Sequence, residues 1–336
     1  MDETASGYRD KQGEWRPNKP LKIAPFYALP PKLRDVLAWL PGYFLPWNVM
    51  FALSAVAFWL WVIPERETMA VLSPGWIVYL YAVNVVAVAM FYGAFELRLY
   101  WQRAQGTRFK YNPAFPGDRQ SKFFWFGNQN LDNVARTFIF GVTVWTLIET
   151  LSLWAWANGW GPWVSFDNNP VWLGVFAFLV PVLHEFHFYC IHRLIHTPWL
   201  YRHVHSVHHR SVNPSPWSSL SMHPVEHLLY FGSVAWHFIL PSHPLLALYQ
   251  IHFAGFGAIP GHVGFEKVEL GESRAFDSHA FGHYLHHKHF EVNYGDGLVP
   301  LDKIFGTWHD GSDEAAEQMR KRLRARRESE RSAAGA

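Results

Sequence analysis

Four nearly uncharged stretches, each of about 20 residues, constrain this chain more than any other feature. They run from Pro46 to Ile63, Trp76 to Phe95, Thr137 to Ala157 and Val171 to about Ile191. As an α-helix, a stretch of that length crosses a hydrocarbon core of roughly 30 Å. The runs are apolar on nearly every face and carry Trp and Tyr near their ends, the pattern of helices that meet lipid. Glu149 is the one charge inside the third run. A mean hydropathy of -0.05 conceals this pattern, because the charged residues gather between the runs.

Those charges set an expected orientation. Arg9, Lys11, Arg16, Lys19, Lys22, Lys32 and Arg34 precede the first run, and Arg98, Arg103, Arg108, Lys110, Arg119, Lys122 and Arg136 follow the second. The other two connections, 64–75 and 158–170, hold Arg66 as their only basic residue. The positive-inside rule then places both termini and the fourth run's exit on the cytoplasmic side. No apolar core opens the polar first twenty residues, so a cleavable signal peptide is not expected. A single cysteine, Cys190, leaves no intramolecular disulfide, multi-thiolate zinc site or all-cysteine iron–sulfur cluster.

The expected fold is an all-α membrane protein. It has about four transmembrane helices, a re-entrant or interfacial helical hairpin over 227–260, and a cytoplasmic helical cap. The hairpin is broken at Pro241-Ser242-His243-Pro244, and each half is short for a crossing. Residues 1–45 form a cytoplasmic lead-in, 46–191 the membrane anchor, 192–311 the histidine-box region and 312–336 a charged tail.

All twenty histidines lie after Leu183. Three tight clusters stand out: His192 and His196; His205, His208 and His209; His283, His286 and His287. On an α-helix, i, i+3 and i+4 share one face, so each cluster can present its rings toward one point. Eight nitrogen donors exceed what one ion needs, which predicts two neighbouring ions. Imidazole suits zinc, copper, iron and nickel alike, so spacing leaves the metal open.

The surrounding residues carry a resemblance. Phe188-Tyr189-Cys190-Ile191-His192-Arg193-Leu194-Ile195-His196, His223-Pro224-Val225-Glu226, and Asn293-Tyr294-Gly295 with Asp302 and Phe305-Gly306-Thr307 resemble motifs of the fatty acid hydroxylase and sterol desaturase superfamily. Cys190 stands where that family usually has Trp. The resemblance covers about 183–308. It implies two iron ions, O2 as co-substrate, and hydroxylation or desaturation of an alkyl C–H in a fatty acyl, sterol or other hydrophobic membrane substrate.

The resemblance also implies further ligands. His262 matches a family position between the second and third boxes, and His223 is a ligand or a helix-entry residue before Pro224. Glu185, where the family often has Asp, lies seven residues before His192 on nearly the same helix face and is expected to orient an imidazole N–H. Electrons must come from an external b5-type, ferredoxin or reductase partner, since the chain holds no HPGG, no GxGxxG and no cluster-forming cysteines. Alternatives are a membrane zinc-dependent lipid hydrolase and a divalent-metal transporter. No nucleic-acid partner is expected. The location is a multi-pass membrane protein, of the inner membrane if bacterial and the endoplasmic reticulum if eukaryotic.

Overall fold

The computed structural model describes residues 1–118 and 120–334. Arg119, among the basic residues above, and residues 335–336 of the tail lie outside the described residues. The chain is mostly helical, as expected of an all-α membrane protein. Among the described residues, four helical segments are long and apolar enough to cross a membrane: Leu33–Trp61, Pro74–Trp101, Gln129–Ala157 and Pro170–Ile195.

The first begins earlier than the apolar run suggests. Helix α1 (Leu33–Tyr43) leads into α2 (Val49–Trp61) across a break at Leu45, whose φ of -110° and ψ of 139° are not helical. Pro46 causes it, since a proline disfavours the α conformation in the residue before it. Helix α1 is amphipathic and leaves Leu33 and Leu37 exposed. Helix α3 (Pro74–Glu96) forms the second span. Helices α4 (Gln129–Arg136) and α5 (Thr143–Ala157) form the third, and α6 (Pro170–Ile195) is the fourth. The intramembrane charge is partnered: Asn84 Nδ2 on α3 donates to Glu149 Oε2 on α5 at 2.7 Å. Such a bond between two spans keeps a polar group out of lipid.

The hairpin expected over 227–260 goes deeper than an interfacial element. Helix α7 (Pro224–Phe231) continues through short turns to Ile239, and α8 (Pro244–His262) returns. At the tip, Val164 N–H donates to the Ser242 carbonyl and Ser242 N–H to the Pro162 carbonyl. The hairpin therefore reaches the loop that joins the third and fourth spans. Fifteen of the nineteen residues of α8 are buried. Trp145 of α5 packs edge-on against Phe256, and Phe51 of α2 against Phe253. Protein, not lipid, surrounds α8, which is why its two prolines and its histidines are tolerated there.

Two small antiparallel hairpins add the only sheet among the described residues: β1 (Gly7–Arg9) with β2 (Trp15–Pro17), and β3 (Lys267–Glu269) with β4 (Ala275–Asp277). Trp15 is buried with Phe109, Tyr111, Phe281 and Tyr284, which presses the N-terminal hairpin onto α9 (Phe281–His289). The ion pair of Lys288 with Glu14 ties the same two elements. The charged tail is the helix α10 (Asp313–Ala334).

Candidate metal centre

Helix α6 carries His192 at its cap end, with His196 just past its last turn. The second box, expected on an α-helix, lies on a 3-10 turn, His205–Arg210. The third box rides on α9, and His262 closes α8. These elements bring nine of the ten histidines expected as ligands into two groups. One holds His192, His196, His205, His209 and His286; the other holds His208, His262, His283 and His287. Within each group the candidate ligand atoms lie within 4.8 Å of one another.

The boxes do not converge box by box. His205 and His209, the i and i+4 members of the second box, join the first group, while the i+3 member His208 joins the second. The third box does the reverse: His283 and His287 enter the second group and His286 the first. Each HxxHH thus spans both groups, which ties their spacing together.

The nitrogens themselves test whether metal fits. His192 Nδ1 donates to the Tyr294 carbonyl at 2.7 Å, His286 Nδ1 to the Val292 carbonyl at 2.7 Å, and His262 Nδ1 to the Ala258 carbonyl at 2.8 Å. His205 Nδ1 donates to Glu226 Oε1 at 2.7 Å. A neutral imidazole with its proton on Nδ1 has only a lone pair on Nε2. Yet His192 Nε2 and His205 Nε2 stand 3.2 Å apart, with no proton to share. Two lone pairs at that distance repel unless a cation lies between them. The same spacing recurs at 3.1 Å for His286 with His209 and for His283 with His262, and at 3.2 Å for His262 with His208. Nitrogens each about 2.1 Å from one metal and at right angles sit about 3.0 Å apart. The groups therefore have the spacing of ligand edges.

Electrostatics agree. Burial, with neighbouring imidazoles second, holds His205, His208, His209, His283 and His287 well below the usual histidine range. Burial pushes His286 down to about 4. Neutral rings are the form that binds metal.

Two expected residues sit elsewhere. His223 joins neither group: it is the N-cap of α7, where its Nδ1 accepts the Val225 N–H at 3.2 Å. Glu185 hydrogen-bonds no imidazole among the described residues. Its Oε1 accepts the backbone N–H of Asp296 at 2.9 Å and of Gly297 at 3.0 Å. Seven residues along a helix is about 10 Å, so the shared face of Glu185 and His192 meets different neighbours at its two ends. Close approach explains Gly295, since a Cβ there would lie 2.7 Å from Glu185 Oε1.

The imidazole-orienting carboxylate is instead Glu226, on His205. Its place three residues after His223, in the HPxE motif, was the available signal.

A cavity of about 190 Å³ opens beside both groups. His192, His205, His208, His262 and His283 line it together with Phe51, Phe188, Ile191, Met222 and Phe253. The arrangement places two groups of nitrogen donors against an apolar chamber.

Comparison with known proteins accords with this geometry. Residues 177–307 match the family described as fatty acid hydroxylase. A Delta(7)-sterol 5(6)-desaturase of Gibberella zeae is 32% identical over 139 residues, 40% of this chain and 42% of that protein. Residues 177–307 thus resemble the fatty acid hydroxylase and sterol desaturase superfamily. Within this superfamily, a Delta(7)-sterol 5(6)-desaturase of Saccharomyces cerevisiae is 32% identical over 37% of this chain and 33% of its own length. A very-long-chain aldehyde decarbonylase of Oryza sativa subsp. japonica is 31% identical over 47% of this chain and 27% of its own. The chain spans less than half the length of each of these three relatives. No solved structure matches.

Proposed function

We propose that the chain is an O2-dependent, di-iron membrane oxidoreductase that hydroxylates or desaturates an alkyl C–H of a lipid. The observation that carries this reading is the pair of histidine groups, spaced as ligands, opening onto one apolar cavity. The sterol desaturase relatives support the reaction class.

The five-histidine group would hold one iron and the four-histidine group the other. Iron supplies the redox chemistry with O2 that an unactivated C–H bond requires. The chain's own residues do the rest. Acceptors on the Nδ1 side keep His192, His205, His262 and His286 in the tautomer that offers Nε2. The Phe51, Phe188 and Phe253 wall takes an alkyl segment and displaces water from beside the groups. Electrons come from a separate b5-type, ferredoxin or reductase donor on the cytoplasmic face, where the positive-inside rule puts the cap and both termini.

Metal analysis of the purified protein tests this directly. The expected result is about two irons per chain, with loss of an oxidised lipid from cells lacking the protein. One zinc per chain, with lipid oxidation unchanged in those cells, would overturn it in favour of a hydrolase.

A further inference from the structure

The inner cavity continues outward. A second cavity of about 360 Å³ adjoins it, and the two share a wall that includes Trp47, Asn48, His184, Phe253, His283 and Asp296. The outer cavity is built differently. Three carboxylates line it, Glu185, Glu266 and Asp296, against one cation, Lys22. Trp39, Tyr43 and Trp308 add aromatic walls.

Asp296 is the sharpest of these features. Its side chain is 58% accessible, and it lines both cavities, so it has free surface where they meet. Its carboxylate stands 3.8 Å from His283 Nδ1, beyond hydrogen-bond reach. That nitrogen is buried and has no hydrogen-bond partner among the described residues. Glu266 gives one oxygen to the Tyr111 hydroxyl at 2.5 Å. The exposed Asp296 carboxylate repels an anion, and the carboxyl oxygens along the chamber accept hydrogen bonds from a donor. Aromatic walls beside carboxylates favour a cation further.

Resting on the reading of the inner cavity as the lipid site, we propose that the substrate is an amphiphile lying through both cavities with its polar end in the outer one. That polar end is a cation or a neutral hydrogen-bond donor, such as a hydroxyl or an amine, and not a free carboxylate or phosphate. The alkyl part occupies the inner cavity beside the histidine groups. The N-terminal segment closes the headgroup chamber: Leu21 and Ala24 line it, and the Leu21 N–H donates to the Asp310 carbonyl at 2.9 Å.

Binding to the full-length, metal-loaded protein in nanodiscs of zwitterionic lipid tests this without turnover. The probes share one chain and differ in headgroup: dodecanol, dodecyltrimethylammonium and dodecanoate, each competing against tritiated dodecanol. Dodecanol or dodecyltrimethylammonium is expected to bind at least about tenfold more tightly than dodecanoate. The Glu266→Gln variant, with its metal content measured as the check on folding, is expected to weaken the ammonium probe by about threefold to tenfold while dodecanoate gains or stays level. Dodecanoate binding as tightly as the others, no saturable binding of any probe, or an ammonium probe indifferent to Glu266→Gln overturns the assignment. If dodecanoate wins while the protein holds two irons and oxidises lipid, the headgroup proposal falls and the oxidoreductase stands. If the purified protein holds no redox metal, the oxidoreductase reading falls and the headgroup order is still read from binding.

Discussion

His205 Nδ1 and Glu226 Oε1 stand 2.7 Å apart, with both side chains almost wholly buried. The carboxylate accepts a hydrogen bond from the ring's one N–H and so turns its Nε2 lone pair into the five-histidine group. Replacing Glu226 by Ala removes that acceptor and is expected to weaken metal binding by about tenfold to a hundredfold. Glu226→Gln keeps an acceptor oxygen and should lose less. Iron retained against a graded chelator series measures both, and equal retention in wild type and Glu226→Ala would refute the role.

The division of each box between groups predicts which ion a given substitution removes. His286→Ala should empty the five-histidine group and His262→Ala the four-histidine group, each lowering metal from about two ions per chain toward one. His223→Ala should leave both ions and cost only the helix cap, about 0.5–2 kcal/mol. Metal content with thermal unfolding distinguishes these; loss of an ion in His223→Ala would return that residue to the ligand set.

Gly257 lines the inner cavity, and a Cβ there would sit 3.3 Å from the Phe51 ring. Gly257→Leu should therefore fill space meant for the alkyl chain. Product formation is expected to fall by more than about tenfold, the scale of binding energy lost when a hydrophobic pocket is blocked. Iron content should hold. Full activity in this variant would mean that substrate lies elsewhere.

Acid should destabilise the metal-free protein early. Burial holds His286 and His289 at about 4, below the ordinary histidine value of about 6.5. In the unfolded chain these rings take up protons as pH drops through about 6.5, so between 6.5 and 4 the unfolded state binds more protons and stability falls with pH. Unfolding midpoints of metal-free protein from pH 8 to pH 4 check the sign. A midpoint that stays flat or rises as pH falls would contradict it.

Much of this protein is legible along the chain. Apolar length alone calls for the spans, because an unpaired backbone in lipid must close its hydrogen bonds within a helix. The number of imidazoles calls for more than one cluster of donors, and the fold gathers nine of them into two. The limits come where partners lie far apart in sequence. Glu185 and Glu226 are both carboxylates near boxes, and helical period favours the former. Which of them meets a ring depends on what packs there: the 295–297 turn covers Glu185, and the second box covers Glu226. The hairpin's depth is likewise a matter of its tip meeting the loop at 162–164.

The sequence by itself determined that this chain enters a membrane and which side chains can bind metal, because hydrophobic length and donor chemistry are local properties. Only the tertiary structure decided how nine histidines divide between two groups, which acid orients a ring, and which residues line the neighbouring chambers. Those outcomes depend on contacts between residues more than a hundred positions apart, such as His192 with Tyr294, and no local period encodes them.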